Sequence, residues 1–190
     1  MANYVYIATS LDGFIATPDG GIEWLEGAPN PSGSDFGFAE FMSRVDALLM
    51  GRRTFEKLLN FGQWPYSIPV YVLSNTLKSV PDELMEKAEI TTGSPSEVIS
   101  KLGLMNHKNL YIDGGLLIQS FLKEDLIDEL IVTRFPKLLG QGIPLFGDLN
   151  ESLDFEHVET EVIENYLVKS RYRRVLRHQP SLETGQEASG

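Results

Sequence analysis

Two arginines and a threonine stand directly after a glycine in the segment Met50-Gly51-Arg52-Arg53-Thr54. The apolar run before this glycine predicts a strand, and the apolar periodicity after it predicts a helix. Such a turn can bind a phosphate, because glycine lets the backbone approach the ligand and the first N–H groups of the helix are unpaired. Guanidinium groups add further donors for the same anion. The alternative is a solvated helix start without a ligand.

Two more polar or glycine turns follow predicted strands. Ser74-Asn75 ends the run Ile68–Leu73, and Gly114-Gly115 ends the run Asn109–Asp113 just before a helical segment. Paired glycines at a helix N-terminus suit a pyrophosphate, whereas Ser74-Asn75 together with the arginines suits an extra phosphate monoester. Gly114-Gly115 is also compatible with a plain strand-to-helix turn. The three turns together predict a dinucleotide with a 2′-phosphate, although the Gly-x-Gly-x-x-Gly fingerprint of an ordinary Rossmann site is absent from the sequence.

The predicted elements place these turns on one sheet. Strands alternate with helices as far as residue 122, and two segments of alternating apolar and charged residues, 155–160 and 164–176, end the chain as a predicted antiparallel pair. This pattern predicts a single α/β domain over residues 1–176 with a mainly parallel sheet, and an unstructured tail over 177–190. Ligands of such sheets lie beyond the carboxyl ends of the strands, so the turns can converge on one extended ligand.

Composition excludes several classes of function. The formal net charge is -11, which argues against a general nucleic-acid or anionic-membrane surface. Cysteine is absent, so disulfides, thiolate zinc sites and cysteine nucleophiles are excluded. The three histidines (His107, His157 and His178) show no metal-ligand spacing, and no metal is expected. No apolar run reaches membrane-spanning length and the start does not read as a signal peptide, so the expected location is the cytoplasm.

Five segments together carry a family resemblance. Met50–Glu56, Val72–Asn75 and Ile112–Gly115, in this order and spacing, resemble the dihydrofolate reductase superfamily. Ser10–Ala16 and Pro136–Phe146 more closely resemble its branch typified by the reductase domain of the riboflavin deaminase–reductase. The match covers about residues 3–176, and it implies the three-layer dihydrofolate reductase-like α/β fold, with a mainly parallel sheet and an antiparallel C-terminal edge.

What the resemblance implies first is NADPH binding. The family's phosphate-binding turn falls on Gly51 to Thr54, and the turn beside the adenine ribose falls on Ser74 and Asn75. The pyrophosphate turn falls on Gly114 and Gly115. The wall against the nicotinamide falls on three apolar residues: Ala8, Ile15 and Ala16.

The resemblance is less definite about the substrate. Asp35 aligns with the buried acid of the folate enzymes, where a carboxylate could pair with an aminopyrimidinone ring and favour its protonation. The alternative is that Asp35 caps a helix predicted over 35–44, and the sequence favours neither role. Asp12 either faces substrate or serves the turn before Gly13. The segment Thr17–Ser34 matches a mobile active-site loop with Trp24 as a substrate contact, and the alternative is a surface loop pinned by one buried tryptophan.

These observations predict an NADPH-dependent reductase of the riboflavin-biosynthesis type, acting on an aminopyrimidine or pterin-like small molecule. Dihydrofolate reduction is one alternative, and an NADPH-binding regulatory protein without turnover is another. The riboflavin branch also implies a homodimer, expected through the C-terminal edge with apolar contacts from Leu167, Tyr172 and Val175.

Overall fold

The computed structural model describes residues 1–175. The described residues do not include Leu176, the last residue of the predicted strand. They also do not include the segment 177–190, which contains His178 and is predicted to be an unstructured tail. The strands are β1 (Ala2–Thr9), β2 (Phe14–Ala16), β3 (Ala47–Gly51), β4 (Val70–Leu73), β5 (Ala88–Thr91), β6 (Asn109–Asp113), β7 (Glu129–Arg134), β8 (Ile143–Pro144), β9 (Phe155–Ile163) and β10 (Leu167–Arg174). The α-helices are α1 (Phe38–Met42), α2 (Arg52–Leu59), α3 (Pro95–Leu104) and α4 (Gly115–Lys123), with short 3-10 turns at Glu23–Leu25 and Asp82–Leu84. None of the helices within residues 1–175 is long and apolar enough to cross a membrane.

Eight of these strands form one sheet in the order β5-β4-β3-β6-β1-β7-β10-β9. All neighbouring pairs from β5 to β7 are parallel, and β10 pairs antiparallel with both β7 and β9. The predicted mainly parallel sheet with an antiparallel C-terminal edge is therefore confirmed. The short strands β2 and β8, which the sequence did not predict, form a separate antiparallel pair.

Helices cover both faces of the sheet. Alternate residues of the central strands point to opposite faces, and most of them are apolar because both faces are buried. Phe41 of α1 and Phe55 of α2 pack on the face that carries Met50 and Tyr111. The opposite face is covered by α3 and α4.

The sheet divides at its carboxyl edge between β1 and β6. These two strands pair only from Ala2↔Asn109 to Tyr4↔Tyr111. Beyond that point β1 continues beside β7 as far as Thr9, and β6 continues beside β3 as far as Asp113. The last residues of β1 and β6 are consequently unpaired with each other, and the gap between them lies at the edge where ligands of parallel sheets bind.

A local sequence signal accounts for the start of α3. The Ser94 side chain accepts from the N–H of Glu97, whose carboxylate accepts from the N–H of Ser94, so the two residues form a capping box. The helix predicted over 35–44 is shorter than expected. Phe36 and Gly37 have φ angles of 59° and 91°, which a right-handed helix cannot include, so α1 starts only at Phe38.

Three apolar side chains at the C-terminal edge of the sheet were expected at a dimer contact. Leu167 is fully buried inside the chain, and Tyr172 packs against the core on the α3 and α4 face. The prediction that Leu167 contributes to a dimer contact is therefore wrong, whereas Tyr172 is partly exposed and Val175 is 41% exposed. The homodimer itself stays a prediction.

Candidate functional site

Three of the predicted phosphate-site residues meet at the carboxyl ends of β3 and β6. Gly114 has φ +99°, a conformation that favours glycine, and a Cβ at this position would overlap the Thr54 hydroxyl. The same Cβ would lie 3.8 Å from the backbone nitrogen of Gly51. The turn at Gly114 therefore packs directly against the first turn of α2.

Arg52 joins this surface to the turn after β4. Its Nη1 donates to the Thr76 hydroxyl at 2.7 Å, and its Nε lies 2.6 Å from the Glu56 carboxylate. The buried Ser74 hydroxyl accepts from the N–H groups of Thr76 and Leu77, and so shapes the turn. Ser74 therefore has a structural role in this turn, and the neighbouring Asn75 side chain is exposed.

Arg53 differs from Arg52 in having no internal partner. Its side chain is exposed, and within residues 1–175 its guanidinium makes neither a hydrogen bond nor an ion pair. All five of its N–H donors are therefore available to an anion at this turn.

The predicted apolar wall lies on the other side of the glycine pair. A Cβ on Gly115 would lie 2.6 Å from Ile15 Cδ1, so the start of α4 and strand β2 are in close contact. Ala16 is buried and pairs with Ile143 of β8. Ala8 is partly buried and packs against a separate apolar cluster that contains Trp24.

The loop Thr17–Ser34 is tied to the site at two points. The Lys57 ammonium of α2 donates to the carbonyl of Gly20. Further along, Trp24 is 93% buried, as its exposed fraction is 7%, and its ring meets that of Phe135 at 5.3 Å. Among the residues that the structure describes, the buried indole Nε1–H has no hydrogen-bond partner. An unpaired buried donor is costly, and this one lies in the cluster that includes Ala8.

Asp12 fastens the loop that follows β7. One carboxylate oxygen accepts from the Ser10 hydroxyl at 2.6 Å and from the N–H of Leu139, and the other accepts from the N–H of Gly140. The Ser10 hydroxyl lowers the pKa of the exposed Asp12 carboxyl, and the two N–H groups act in the same direction. The geometry matches the turn alternative, and a catalytic role stays a prediction.

Asp35 is exposed and serves its own helix. Its two carboxylate oxygens accept from the N–H groups of Ala39 at 2.7 Å and Gly37 at 2.9 Å. The N–H of Ala39 lowers the pKa of Asp35, and that of Gly37 adds to the effect. The position expected to hold a buried acid thus holds an exposed helix cap, and a role in catalysis or in substrate binding stays a prediction.

A partly buried carboxyl that the sequence did not suggest lies at the gap. Asp113 is the last residue of β6, on the same face as Tyr111, and one of its oxygens accepts from the N–H of Gly114 at 2.8 Å. Burial raises the pKa of Asp113 to about 6, although the Gly114 N–H acts in the opposite direction. Burial raises the pKa of Tyr66, and the nearby Asp113 carboxylate raises it further. The sequence signal that could have identified Asp113 is an acid at the end of a mainly apolar strand, directly before Gly114.

A cavity of about 410 Å³ lies between α1 and the strands β7, β10 and β9. Tyr6 and Phe41 form its apolar wall, with their rings stacked at 4.7 Å. Its remaining lining is mostly charged, with Arg44, Lys169 and Arg171 among the side chains. This cavity is separate from the glycine turns.

The mainly parallel sheet with its antiparallel edge, and the glycine turns around the gap between β1 and β6, define a dihydrofolate reductase-like α/β protein. Within that class the chain belongs to the RibD C-terminal domain family, whose profile matches residues 4–169. The resemblance inferred from the sequence motifs is confirmed.

Individual relatives agree with this assignment. The chain is 39% identical over 149 residues to the uncharacterized protein YwjB of Bacillus subtilis strain 168, covering 76% of this chain and 82% of YwjB. A crystal structure from Shewanella sp. PV-4, provisionally described as a riboflavin biosynthesis protein, superposes with a TM-score of 0.89 at 50% identity and covers 93% of this chain and all of that one.

The fold extends to more distant proteins. A diaminohydroxyphosphoribosylaminopyrimidine deaminase/5-amino-6-(5-phosphoribosylamino)uracil reductase from Thermotoga maritima superposes with a TM-score of 0.70 at 17% identity. The match covers 92% of this chain and 56% of that protein. At this identity the similarity concerns the fold alone.

Proposed function

We propose that the protein is an NADPH-dependent reductase of the riboflavin-biosynthesis type, which reduces a C=N bond of an aminopyrimidine or pterin-like ring. The observation that carries the proposal is the position of Asp113, a partly buried carboxyl adjoining the Gly114-Gly115 turn at the gap between β1 and β6. An acid and a cofactor cradle at one gap are what hydride transfer to a ring requires.

The residues present fit the dinucleotide. Gly114 and Gly115 let Thr54 and Ile15 pack closely against the backbone that precedes α4, and the N-terminus of this helix suits a pyrophosphate. The unpaired Arg53 guanidinium suits the 2′-phosphate that distinguishes NADPH from NADH, and Arg52 is the second cation of the same turn. The cofactor supplies the hydride.

Asp113 is the residue that we assign to the substrate ring. As a carboxylate it accepts ring N–H groups, and as a carboxylic acid it donates a proton to the ring nitrogen that gains one during reduction. Its pKa of about 6 makes both forms accessible close to neutral pH. Asp113 thus takes the role that the sequence suggested for Asp35, whose oxygens are engaged by α1.

The Nε1–H of Trp24 also suits a bound ligand. It is buried without an acceptor among residues 1–175, and an acceptor on a ligand would satisfy it. The Lys57 contact to Gly20 holds the loop that carries Trp24 over the start of α2.

The test separates cofactor from substrate. Titration of the full chain should give tighter binding of NADPH than of NADH, and NADPH oxidation should be detectable with an aminopyrimidine or a dihydropterin. Asp113→Asn should retain NADPH binding and lose most turnover, whereas equal affinity for the two cofactors would refute the phosphate assignment.

A binding protein without turnover is the second candidate. It is favoured by the engagement of Asp12 and Asp35, since both carboxylates are held by backbone N–H groups. Tight NADPH binding with no oxidation on any ring substrate, and no difference between the wild type and Asp113→Asn, would support this candidate instead.

A further inference from the structure

We propose that His107, at the amino edge of the sheet, is a positioning residue for the three cofactor turns at the opposite edge. Together with Asp46 and Tyr71 it forms a polar array, which we call the amino-edge array, that holds the starts of β3, β4 and β6. The inference rests on the proposed function, because it concerns the affinity of these turns for the dinucleotide. The three turns are those at residues 51–54, 74–75 and 114–115.

The array joins side chains from three different segments. The Tyr71 hydroxyl lies 2.9 Å from His107 Nε2, and His107 Nδ1 lies 3.4 Å from Asp46 Oδ1. With the ring proton on Nδ1, facing the carboxylate, Nε2 accepts a hydrogen bond from the Tyr71 hydroxyl. Tyr71 is only 4% exposed and belongs to the apolar cluster on the α3 and α4 face. A buried phenol requires a hydrogen-bond partner, and His107 is closer to this one than the Met105 sulfur at 4.0 Å.

The end of α3 presents the imidazole to this array. Asn106 has φ 68°, a left-handed conformation in which asparagine is enriched. Its N–H donates to the carbonyl of Gly103 at 3.0 Å, and the N–H of His107 donates to the carbonyl of Leu102 at 3.1 Å. These two bonds close the last turn of the helix, so the backbone of His107 is fixed before the chain enters β6.

Asp46 ties the array to the backbone that leads into β6. Its Oδ2 accepts from the N–H groups of Lys108 at 2.9 Å and Asn109 at 3.1 Å, and its own N–H donates to the Asn109 carbonyl at 2.9 Å. Asp46 directly precedes β3, Tyr71 is the second residue of β4, and His107 lies two residues before β6. The array therefore connects the amino ends of three strands that are neighbours in the sheet, in the order β4-β3-β6.

The same three strands lead into the three cofactor turns. Each is four or five residues long, so its two ends are about 15 Å apart. Strand β3 pairs in parallel with both neighbours, and its Leu48, Leu49 and Met50 are fully buried. Because a close-packed interior transmits strain, a displacement at the amino end of such a strand is carried to the turn at its other end.

A dinucleotide contacts several turns at once, so its affinity depends on their relative positions. Binding groups must be held within about 0.5 Å of the productive geometry. The amino-edge array fixes the strands from the side opposite to the ligand and does so without touching it. His107 is its central member, because the imidazole contacts both of the other side chains.

The other half of the sheet contains a matched tie at the same edge. Asp128 Oδ2 accepts from the N–H of Asn3 at 2.7 Å, and the N–H of Asp128 donates to the Asn3 carbonyl at 2.9 Å. Asp46 and Asn109 exchange the same two bonds. The Asp128 tie, however, joins β7 to β1, and neither strand leads into a cofactor turn. Asp128→Ala is therefore the control for Asp46→Ala.

The experiment measures binding of adenosine 2′,5′-bisphosphate, the part of NADPH that carries the 2′-phosphate and one phosphate of the pyrophosphate. The full chain is titrated by calorimetry, and urea unfolding gives the stability of each variant. His107→Leu and Asp46→Ala should bind this probe about tenfold more weakly than the wild type, as displaced binding groups would produce. His107→Gln, whose amide donates to Asp46 and accepts from Tyr71, should restore most of the affinity. Asp128→Ala should keep the wild-type affinity at a comparable loss of stability.

Tyr71→Phe covers the case in which His107→Leu does not fold, because it removes a single oxygen and keeps the ring. It should weaken probe binding about threefold, as loss of one hydrogen bond would produce. Wild-type affinity in a folded His107→Leu, or in Tyr71→Phe where His107→Leu is unfolded, would overturn the inference. An equal loss of affinity in Asp128→Ala and Asp46→Ala would overturn it too, since reduced stability would then explain both. Failure of the wild type to bind either the probe or NADPH would refute the proposed function, and the inference with it.

Discussion

The hydroxyl of Thr54 occupies the space that a side chain on Gly114 would need. Thr54 lies in the first turn of α2, and Gly114 directly precedes α4. Their contact therefore joins the turns that follow β3 and β6. Gly114→Ala should therefore abolish NADPH binding and destabilise the fold, because the new methyl group meets Thr54 in a backbone conformation with φ +99°.

The matched control for this variant is Gly27→Ala. Gly27 has φ +85°, and a Cβ there would meet nothing within 4 Å. This variant should show only the backbone penalty of about 1 kcal/mol, measured by denaturant unfolding, and should bind NADPH normally. Equal effects of the two alanines on cofactor affinity would show that the contact with Thr54 has no part in the cofactor site.

Arg53→Ala should weaken NADPH binding by about tenfold or more and leave NADH binding unchanged, because a charge-assisted hydrogen bond to the 2′-phosphate is lost. Arg52→Ala should have a smaller effect on cofactor choice, since Arg52 is already engaged by Glu56 and Thr76. Fluorescence titration of each variant with both cofactors measures the difference. A parallel loss of NADH affinity in Arg53→Ala would contradict a role confined to the 2′-phosphate.

Asp113 should leave a signature in the pH dependence of stability. Its pKa in the fold is about 6, above the ordinary value of 3.8, so the protonated form stabilises the fold below about pH 4 and this contribution is lost as the pH rises through 6. Asp113→Asn should remove that loss and gain stability at pH 7 of the order of 2–3 kcal/mol relative to wild type. Urea unfolding from pH 4 to 7 measures the difference between the two proteins, and identical curves would refute the burial of an ionised Asp113.

Asp35 should behave in the opposite sense. Its pKa is lowered by the N–H groups of α1, so its contribution to stability is present at neutral pH and is lost as the pH falls through the folded-state pKa. Asp35→Ala should lower Tm at pH 7, while Asp35→Ser, which retains an oxygen for the helix N-terminus, should restore most of it. If Asp35 is only a cap, Asp35→Ser should also retain turnover; a large fall in kcat for a normally stable Asp35→Ser would restore the catalytic interpretation.

The contact between Lys57 and Gly20 should control the loop 17–34. Lys57→Met should make this loop more accessible to protease, because the tie to α2 is removed. In a Trp64→Phe background, it should also increase quenching of Trp24 fluorescence by acrylamide. Lys87→Met, at an exposed site far along the chain, is the control and should change neither measurement. Unchanged quenching in Lys57→Met would show that burial of Trp24 alone holds the loop.

The sequence by itself determined the fold class, the order of most elements and the positions of the glycine and polar turns at the strand ends. Apolar runs ending in Gly51, Ser74 or Gly114 are local signals, and parallel strands necessarily bring their carboxyl ends to one edge. Helix α3 was equally predictable, because its capping box lies within four consecutive residues. The resemblance carried by those motifs pointed to the family for the same reason, since each motif is a short stretch of chain.

Only the tertiary structure decided which acid faces the gap. In the sequence, Asp35 precedes a predicted helix and Asp113 ends a predicted strand, and the difference between them depends on the folded chain. The positive φ angles of Phe36 and Gly37 direct the Asp35 carboxylate to the N–H groups of α1. The divergence of β1 from β6 leaves Asp113 at an opening. The pairing of Arg44 with Glu129, 85 residues apart, likewise has no local signal. Burial and charge balance arise from segments distant in the chain, so the sequence predicts the cofactor turn while the folded chain determines the chemistry of the substrate side.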